Sequence, residues 1–171
     1  MNGRKAFGLS LAAALGLAVL PGGAIGQQKL LKDQLVGTWT LVSWEQDVPN
    51  GPKYKRFGDN PKGYNIFDAN GRFFIMFARP DLPKIASNNP STPTPEEGKA
   101  IVGGAISYFG TYTIDEAAKV ISLRVEASSF PNQVGADQKR TITSVAGDEL
   151  KYQNPVALTG GQIYYVFKRA K

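Results

Sequence analysis

The chain has 171 residues, of which 20 are basic and 14 are acidic, and it contains neither cysteine nor histidine. Those two absences exclude disulfides, thiolate nucleophiles, Ser-His-Asp triads and metal sites with imidazole or thiolate ligands, so we expect no metal and no cofactor. The basic residues are scattered, without an arginine-rich stripe interleaved with aromatic residues, and we therefore expect no nucleic-acid binding.

Residues 1–26 have the pattern of a secretory signal peptide. A basic start, "MNGRK", precedes the apolar run "AFGLSLAAALGLAVL", and small residues stand just before Gln27. The apolar run is shorter than the roughly 18 residues needed to span a bilayer. We expect cleavage near Gln27 and a periplasmic or extracellular protein with no integral membrane span after cleavage. An uncleaved anchor is the alternative.

Removal of these 26 residues leaves 145, which is enough for one domain with a single core. We assign residues 27–34 to an N-terminal extension and residues 35–171 to the domain. The leader carries two basic residues and no acidic ones, so the mature net charge is +4. We expect this domain to be a monomer or a homodimer.

From Leu35 onward, apolar and polar residues alternate in short runs separated by turn residues, which is typical of an all-β sandwich or barrel. The runs predict strands over 37–46, 53–57, 108–114, 119–128, 137–145, 149–153 and 162–169, and a hairpin over 63–77. Asn70 and Gly71 mark the turn of that hairpin, because both residues tolerate positive φ. The total is eight or nine strands.

Alternation in the first predicted strand also separates its two tryptophans. Trp39 and Leu41 fall on one face, while Val42 and Trp44 fall on the other.

Residues 78–95 depart from the alternation. This segment carries five prolines, which lack the backbone donor that a central strand requires. Thr94 then begins a helix as its N-cap, with Pro95 at the first helical position. We predict one short helix near 95–107. The loop before it is either a functional lid or a disordered connection.

Residues 125–140, "VEASSFPNQVGADQKR", gather many hydrogen-bonding side chains around a Pro-Asn turn. A hairpin symmetric about Gln133 would place Glu126 opposite Arg140. On the outer face the two residues would form an ordinary surface ion pair. On the inner face the two charges would be removed from water, which is unfavourable. Such a buried pair is expected mainly where a ligand or a reaction uses it. Both interpretations remain open from the residues alone.

The first strand opens with "GTW", residues 37–39, and the last strand carries Lys168 and Arg169. Together with "NPKGYNIFDANGRF", "EEGKA", "YFGTYTIDEAAKV" and "SSFPNQVGADQKR" in this order, residues 35–169 resemble the bacterial and fungal lipocalin-like domain family. The resemblance implies an up-and-down antiparallel β-barrel. It also implies that Trp39 closes the barrel floor with a basic residue of the final strand stacked over it. It implies no particular ligand.

A barrel of about eight strands is wide enough to be filled by side chains or to hold one small ligand. The many aromatic residues suit a hydrophobic or amphipathic ligand, and they would equally fill a core. The candidate ligand-binding residues are Tyr64, Tyr108, Tyr112, Glu126, Phe130, Asn132, Gln138 and Arg140.

Two functions follow from these residues. The first is an exported protein that binds a small hydrophobic or amphipathic molecule, with Gln138 and Arg140 orienting its polar end. The alternative is a cofactor-free isomerase, cyclase or lyase acting in the same cavity. In that enzyme Glu126 or Tyr112 would serve as acid or base, and Arg140 would stabilise developing negative charge.

Overall fold

The computed structural model describes residue 3, residues 29–155 and residues 160–171. Apart from Gly3, the proposed signal peptide and its cleavage site lie outside these ranges. Within them, no helix has the length and apolar character that crossing a membrane would require.

Eight antiparallel strands form a closed barrel in which each strand pairs with the next and β8 pairs with β1. The strands are β1 (Gly37–Gln46), β2 (Lys62–Phe67), β3 (Arg72–Ala78), β4 (Ala105–Asp115), β5 (Val120–Ser128), β6 (Asp137–Ala146), β7 (Glu149–Asn154) and β8 (Ile163–Arg169). Helix α1 (Leu31–Leu35) precedes the barrel, and α2 (Pro95–Gly104) connects β3 to β4. The predicted all-β up-and-down barrel is confirmed, with eight strands.

The predicted strand over 53–57 was wrong, because this segment belongs to the loop between β1 and β2. Tyr54 forms only an isolated bridge with Gln46. A turn then closes where Gly58, at a φ of +73°, donates its backbone N–H to the carbonyl of Lys55. The turn ends the extended conformation before a strand can form.

The predicted facing of the first strand was also wrong beyond Leu41. A β-bulge between Leu41 and Ser43 shifts the register against β8. Such a bulge inserts one residue and sends the following side chains to the opposite faces. As a result Trp39 and Trp44 are both buried, whereas Val42 is exposed.

The two ends of the barrel differ, and we call them the floor and the mouth. The floor is the end that carries α1 and the turns at 68–71, 116–119 and 147–148. The mouth is the end that carries α2 and the loops at 47–61, 79–94 and 129–136.

Trp39 closes the floor, as the family resemblance implied. Its ring is fully buried, and its Nε1 donates to the carbonyl oxygen of Leu35, the last residue of α1, at 2.7 Å. The guanidinium of Arg169 lies 4.2 Å from the ring centroid. Arg169 also donates to the carbonyl oxygens of Gln34 and Val36 at 2.7 and 3.1 Å, at the C-terminal end of α1 where carbonyls lack helical partners. One arginine thus fixes both the helix and the tryptophan.

Helix α2 borders the mouth and begins where the sequence predicts. The hydroxyl of Thr94 accepts from the backbone N–H of Glu97, and the carboxylate of Glu97 accepts from the backbone N–H of Thr94, which is a complete capping box. The helix ends at Gly104, earlier than predicted, because Ala105 already pairs with Ala78 in the sheet.

Candidate ligand-binding site in the barrel interior

The interior of the barrel is mostly apolar and aromatic. Among the described residues, the buried polar or charged side chains are Gln46, Asn65 and Arg140, so Arg140 is the one buried charge in that part of the chain. Burying an arginine is unfavourable unless hydrogen bonds and opposite charge compensate it. Arg140 is therefore the point from which a functional site can be built.

Arg140 lies on β6 near the mouth and is 2 % exposed. Its Nη1 donates to the backbone carbonyl of Lys139 at 2.9 Å. Its Nη2 donates to the side-chain oxygen of Gln138 and, at 3.5 Å, to the hydroxyl of Tyr108. The guanidinium also lies 5.8 Å from the ring centroid of Tyr165. All of these partners are formally neutral, and no carboxylate of the described residues forms an ion pair with it.

One nitrogen of the Arg140 guanidinium makes no hydrogen bond to the described residues. Its Nε–H is buried and has no hydrogen-bond partner among the described residues. An unsatisfied buried donor costs about 1 to 3 kcal/mol, and more when the group is charged. The side chain therefore offers both a positive charge and a free donor to an acceptor inside the barrel.

Asn65 is the second polar group of the interior with an unused atom. It lies on β2, is fully buried and donates through Nδ2 to the hydroxyl of Tyr152 at 3.0 Å. Its Oδ1 has no partner among the described residues. The ring of Tyr152 packs 4.7 Å from that of Tyr165, the ring that Arg140 overlies. We call Asn65, Tyr108, Gln138, Arg140 and Tyr152 the polar centre.

Burial sets the protonation states of the polar centre. It raises the pKa of Tyr108 to about 12, despite the opposing effect of the Arg140 charge. Burial likewise raises the pKa of Tyr152 well above its ordinary value. For Arg140, burial alone would lower the pKa, but the phenol oxygens of Tyr165, Tyr108 and Tyr152 outweigh it and hold that pKa above its ordinary value. At neutral pH the centre is one cation surrounded by neutral dipoles.

Phe57, on the loop between β1 and β2, is buried among aromatic residues at the mouth. Its ring is 1 % exposed and packs edge-on against Trp44 at 5.6 Å and Phe77 at 5.8 Å. Both of those rings contact Tyr165, each at 6.3 Å. The neighbouring Arg56 donates to backbone carbonyls at the end of α2, at 3.0 to 3.3 Å. Arg56 therefore fastens the loop that holds Phe57 in place.

The structure brings together three of the predicted site residues, Tyr108, Gln138 and Arg140. Tyr112 is also buried, but it lies towards the floor, where its hydroxyl donates to the carbonyl of Asp68 at 2.7 Å. The other predicted residues lie outside the interior. They are Tyr64, Glu126, Phe130 and Asn132.

Glu126 is separated from Arg140 because the assumed hairpin register was wrong. Arg140 pairs with Ile121, and Gln138 pairs with Leu123. The difference from the symmetric hairpin is an odd number of residues, which places Glu126 and Arg140 on opposite faces of the sheet. Glu126 is exposed and forms an ion pair with Arg72 at 2.7 Å.

Sequence reasoning missed Asn65, Tyr152 and Tyr165. Asn65 could have been found, because Phe67 faces the interior and alternation from it places Asn65 on the same face of β2. A polar residue at an inward position of a strand is a direct signal. Tyr152 and Tyr165 gave no comparable signal, since a tyrosine suits the interior of a barrel or its surface.

A depression outside the barrel does not reach the polar centre. It has a volume of about 470 Å³ and lies between the proline-rich loop and α2, where Leu82, Ile85 and Ile101 line it. Lys84 is the charged residue among the described residues that line it. The buried charge and the two unused polar atoms make the interior the stronger candidate.

A closed eight-stranded up-and-down barrel with an aromatic interior and a few inward polar groups defines the class of β-barrel that encloses small molecules. A family model described as a lipocalin-like domain matches residues 36–162, most of the chain. The chain therefore belongs to the lipocalin-like domain family, and its barrel fold is that of a ligand-binding barrel in general. A comparison with curated proteins gives no match. No cluster of acidic residues suited to a metal ion occurs within 29–155 or 160–171.

Proposed function

We propose that this protein binds a small amphipathic molecule in its barrel and holds the anionic or carbonyl head of that molecule at Arg140. The observation that carries the proposal is the buried guanidinium, which has no carboxylate partner and an unpaired Nε–H within residues 29–155 and 160–171. A carboxylate or carbonyl would satisfy that donor, and an anion would also balance the charge. The aromatic rings around it suit an apolar tail.

The tail would occupy space that the mouth residues fill at present. Phe57 packs on Trp44 and Phe77, which in turn contact Tyr165 beside Arg140. An apolar tail extending from Arg140 towards the mouth would replace the contacts of the Phe57 ring with contacts of its own. Such an exchange keeps the apolar surface of the interior covered.

The polar centre favours binding over catalysis. The two residues considered as acid or base are not beside Arg140, since Glu126 lies on the outer face and Tyr112 bonds to Asp68. Tyr108 does contact Arg140, but a pKa of about 12 keeps its hydroxyl protonated at neutral pH. A neutral phenol orients a head group by donating to it and is a weak general base.

Calorimetric titration with decanoate and decanol tests the head-group contact. Arg140→Met should weaken decanoate binding by the roughly 1.5 to 3 kcal/mol of a hydrogen bond to a charged group, which is about ten- to hundredfold in Kd. Binding of the uncharged decanol should change much less. Folding stability should hold or rise, because an apolar residue of similar length replaces a buried charge.

Two variants control for changes elsewhere in the protein. Arg124→Met removes an exposed arginine of β5 that pairs with Asp137, and Glu126→Gln removes the carboxylate on the outer face. Both should bind decanoate as the parent does. If Arg140→Met also binds decanoate like the parent, or if the parent binds no amphipathic anion, the proposed site is wrong.

We further propose that the protein is exported and that its mature form begins within two residues of Gln27. The basic start, apolar run and small residues of 1–26 support this. N-terminal sequencing of the protein from the secreted or periplasmic fraction tests it, and finding Met1 there would contradict it.

A further inference from the structure

The geometry points to Asn65 as a specificity-determining residue. We infer that the ligand head bound at Arg140 carries a hydroxyl group near its carboxylate or carbonyl, and that this hydroxyl bonds to the side chain of Asn65. The inference rests on the proposed function, and it adds a requirement that Arg140 alone does not impose.

The first argument is the burial of Asn65 without full hydrogen bonding. The residue has no exposed surface, and one end of its carboxamide bonds to Tyr152 while the other end has no partner among the described residues. A buried amide with one end left without a hydrogen bond destabilises the folded protein. An apolar residue of similar shape at this position would avoid that penalty, so the free end is best explained by a partner that the ligand supplies.

The second argument is position. Along the sheet, Asn65 pairs with Ile75, and Ile75 pairs with Tyr108. Neighbouring strands are about 4.8 Å apart, so Asn65 and Tyr108 lie about 10 Å apart along the inner wall. The hydroxyl of Tyr108 contacts Arg140. Asn65 is also linked to Arg140 through Tyr152, which accepts its hydrogen bond, and through Tyr165, whose tilted ring lies 4.7 Å from that of Tyr152 and 5.8 Å from the guanidinium. The two unused atoms therefore belong to one connected cluster on the inner wall, and the inferred head group would bridge them with its two polar groups.

The third argument is chemical. Arg140 requires an acceptor, because a guanidinium only donates. The free end of Asn65 is an oxygen when Nδ2 bonds to Tyr152, and an amide N–H₂ when the carboxamide is turned over. A hydroxyl both donates and accepts, and so it satisfies either orientation. A hydroxy acid, or a hydroxy ketone or ester, supplies both groups at once.

The experiment compares decanoate with its β-hydroxy analogue by calorimetric titration of the full protein. The parent should bind the hydroxy acid about two- to tenfold more tightly, the value expected for one additional hydrogen bond of roughly 0.5 to 1.5 kcal/mol. Asn65→Leu, which keeps the shape and removes both polar ends, should lose this preference and still bind decanoate. Arg140→Met should weaken both acids together.

The control is Asn132→Leu, which alters an exposed asparagine at the mouth and should preserve the preference. A β-methoxy analogue gives a second measurement on the parent, independent of the folding of any Asn65 variant. It is larger than the hydroxy acid by one methyl group and cannot donate, and so it should bind less tightly than the hydroxy acid if the free end of Asn65 is its oxygen.

The outcomes separate this inference from the proposed function. If the parent binds decanoate and its hydroxy and methoxy analogues equally, the inference is overturned while Arg140 remains the binding group. Retention of the preference in Asn65→Leu also overturns it, because another residue would then contact the hydroxyl. If no acid binds the parent, both proposals fail.

Discussion

Replacing Trp39 with alanine tests the structure of the barrel floor. A tryptophan buries up to about 250 Å², which at roughly 25 cal/mol per Å² corresponds to an upper limit near 6 kcal/mol. Measured costs of removing buried aromatic side chains are about 3 to 5 kcal/mol. Because Trp39 is fully buried, we expect a loss in this range. The free energy of unfolding would be measured by urea denaturation followed by circular dichroism.

Two further variants separate the contributions of the ring and the hydrogen bond. Trp39→Phe keeps much of the apolar surface but leaves the Leu35 carbonyl without its indole donor, so we expect a loss of about 1 to 3 kcal/mol. Val42→Ala changes an exposed residue of the same strand and should stay within about 0.5 kcal/mol of the parent. A loss below about 1 kcal/mol for Trp39→Ala would refute the assignment of Trp39 to the floor.

Two other predictions concern the polar centre and Phe57. Burial raises the pKa of Tyr108 to about 12 from about 10 in the unfolded chain, so its neutral form stabilises the fold fully below pH 10. That contribution is lost as the pH rises from 10 to 12, so the free energy of unfolding should decline over this range. In Tyr108→Phe the decline should be less steep. A decline as steep as in the parent would contradict the burial of the Tyr108 hydroxyl. Phe57→Ala should cost about 3 to 5 kcal/mol in urea denaturation, as for a core aromatic. Tyr54→Ala, in the same loop but half exposed, should cost far less, and equal losses would show that Phe57 is not buried at the mouth.

The architecture could be predicted from the sequence, because it depends on local patterns. The alternation predicted strands, Asn70-Gly71 predicted the turn between β2 and β3, and Thr94 predicted the start of α2. The facing of individual side chains was harder to predict. A bulge between Leu41 and Ser43 exchanges the inward and outward positions in the second half of β1. The alternation of apolar and polar residues does not reveal where such a bulge lies.

The hairpin between β5 and β6 shows the same limit at the candidate site. Its loop contains a 3₁₀ turn at Pro131–Gln133, and the first paired residues are Arg124 and Asp137, so the connection is not symmetric about Gln133. Register depends on that turn geometry, which the residue types alone did not reveal. The sequence therefore indicated Arg140 as a candidate but gave it the wrong neighbour.

The hydrogen bonds that hold the Phe57 loop at the mouth affect how fast a ligand can bind. Arg56 makes its hydrogen bonds to the end of α2, so the loop leaves the mouth only when those bonds break. If a ligand binds by displacing the Phe57 ring, its entry waits for this event, and association can be no faster than loop opening. Under these conditions Arg56→Met should raise the on-rate and lower Kd, as stopped-flow and calorimetric titration would show, because it weakens the closed loop of the free protein. The affinity of the barrel would then depend on a residue that never touches the ligand.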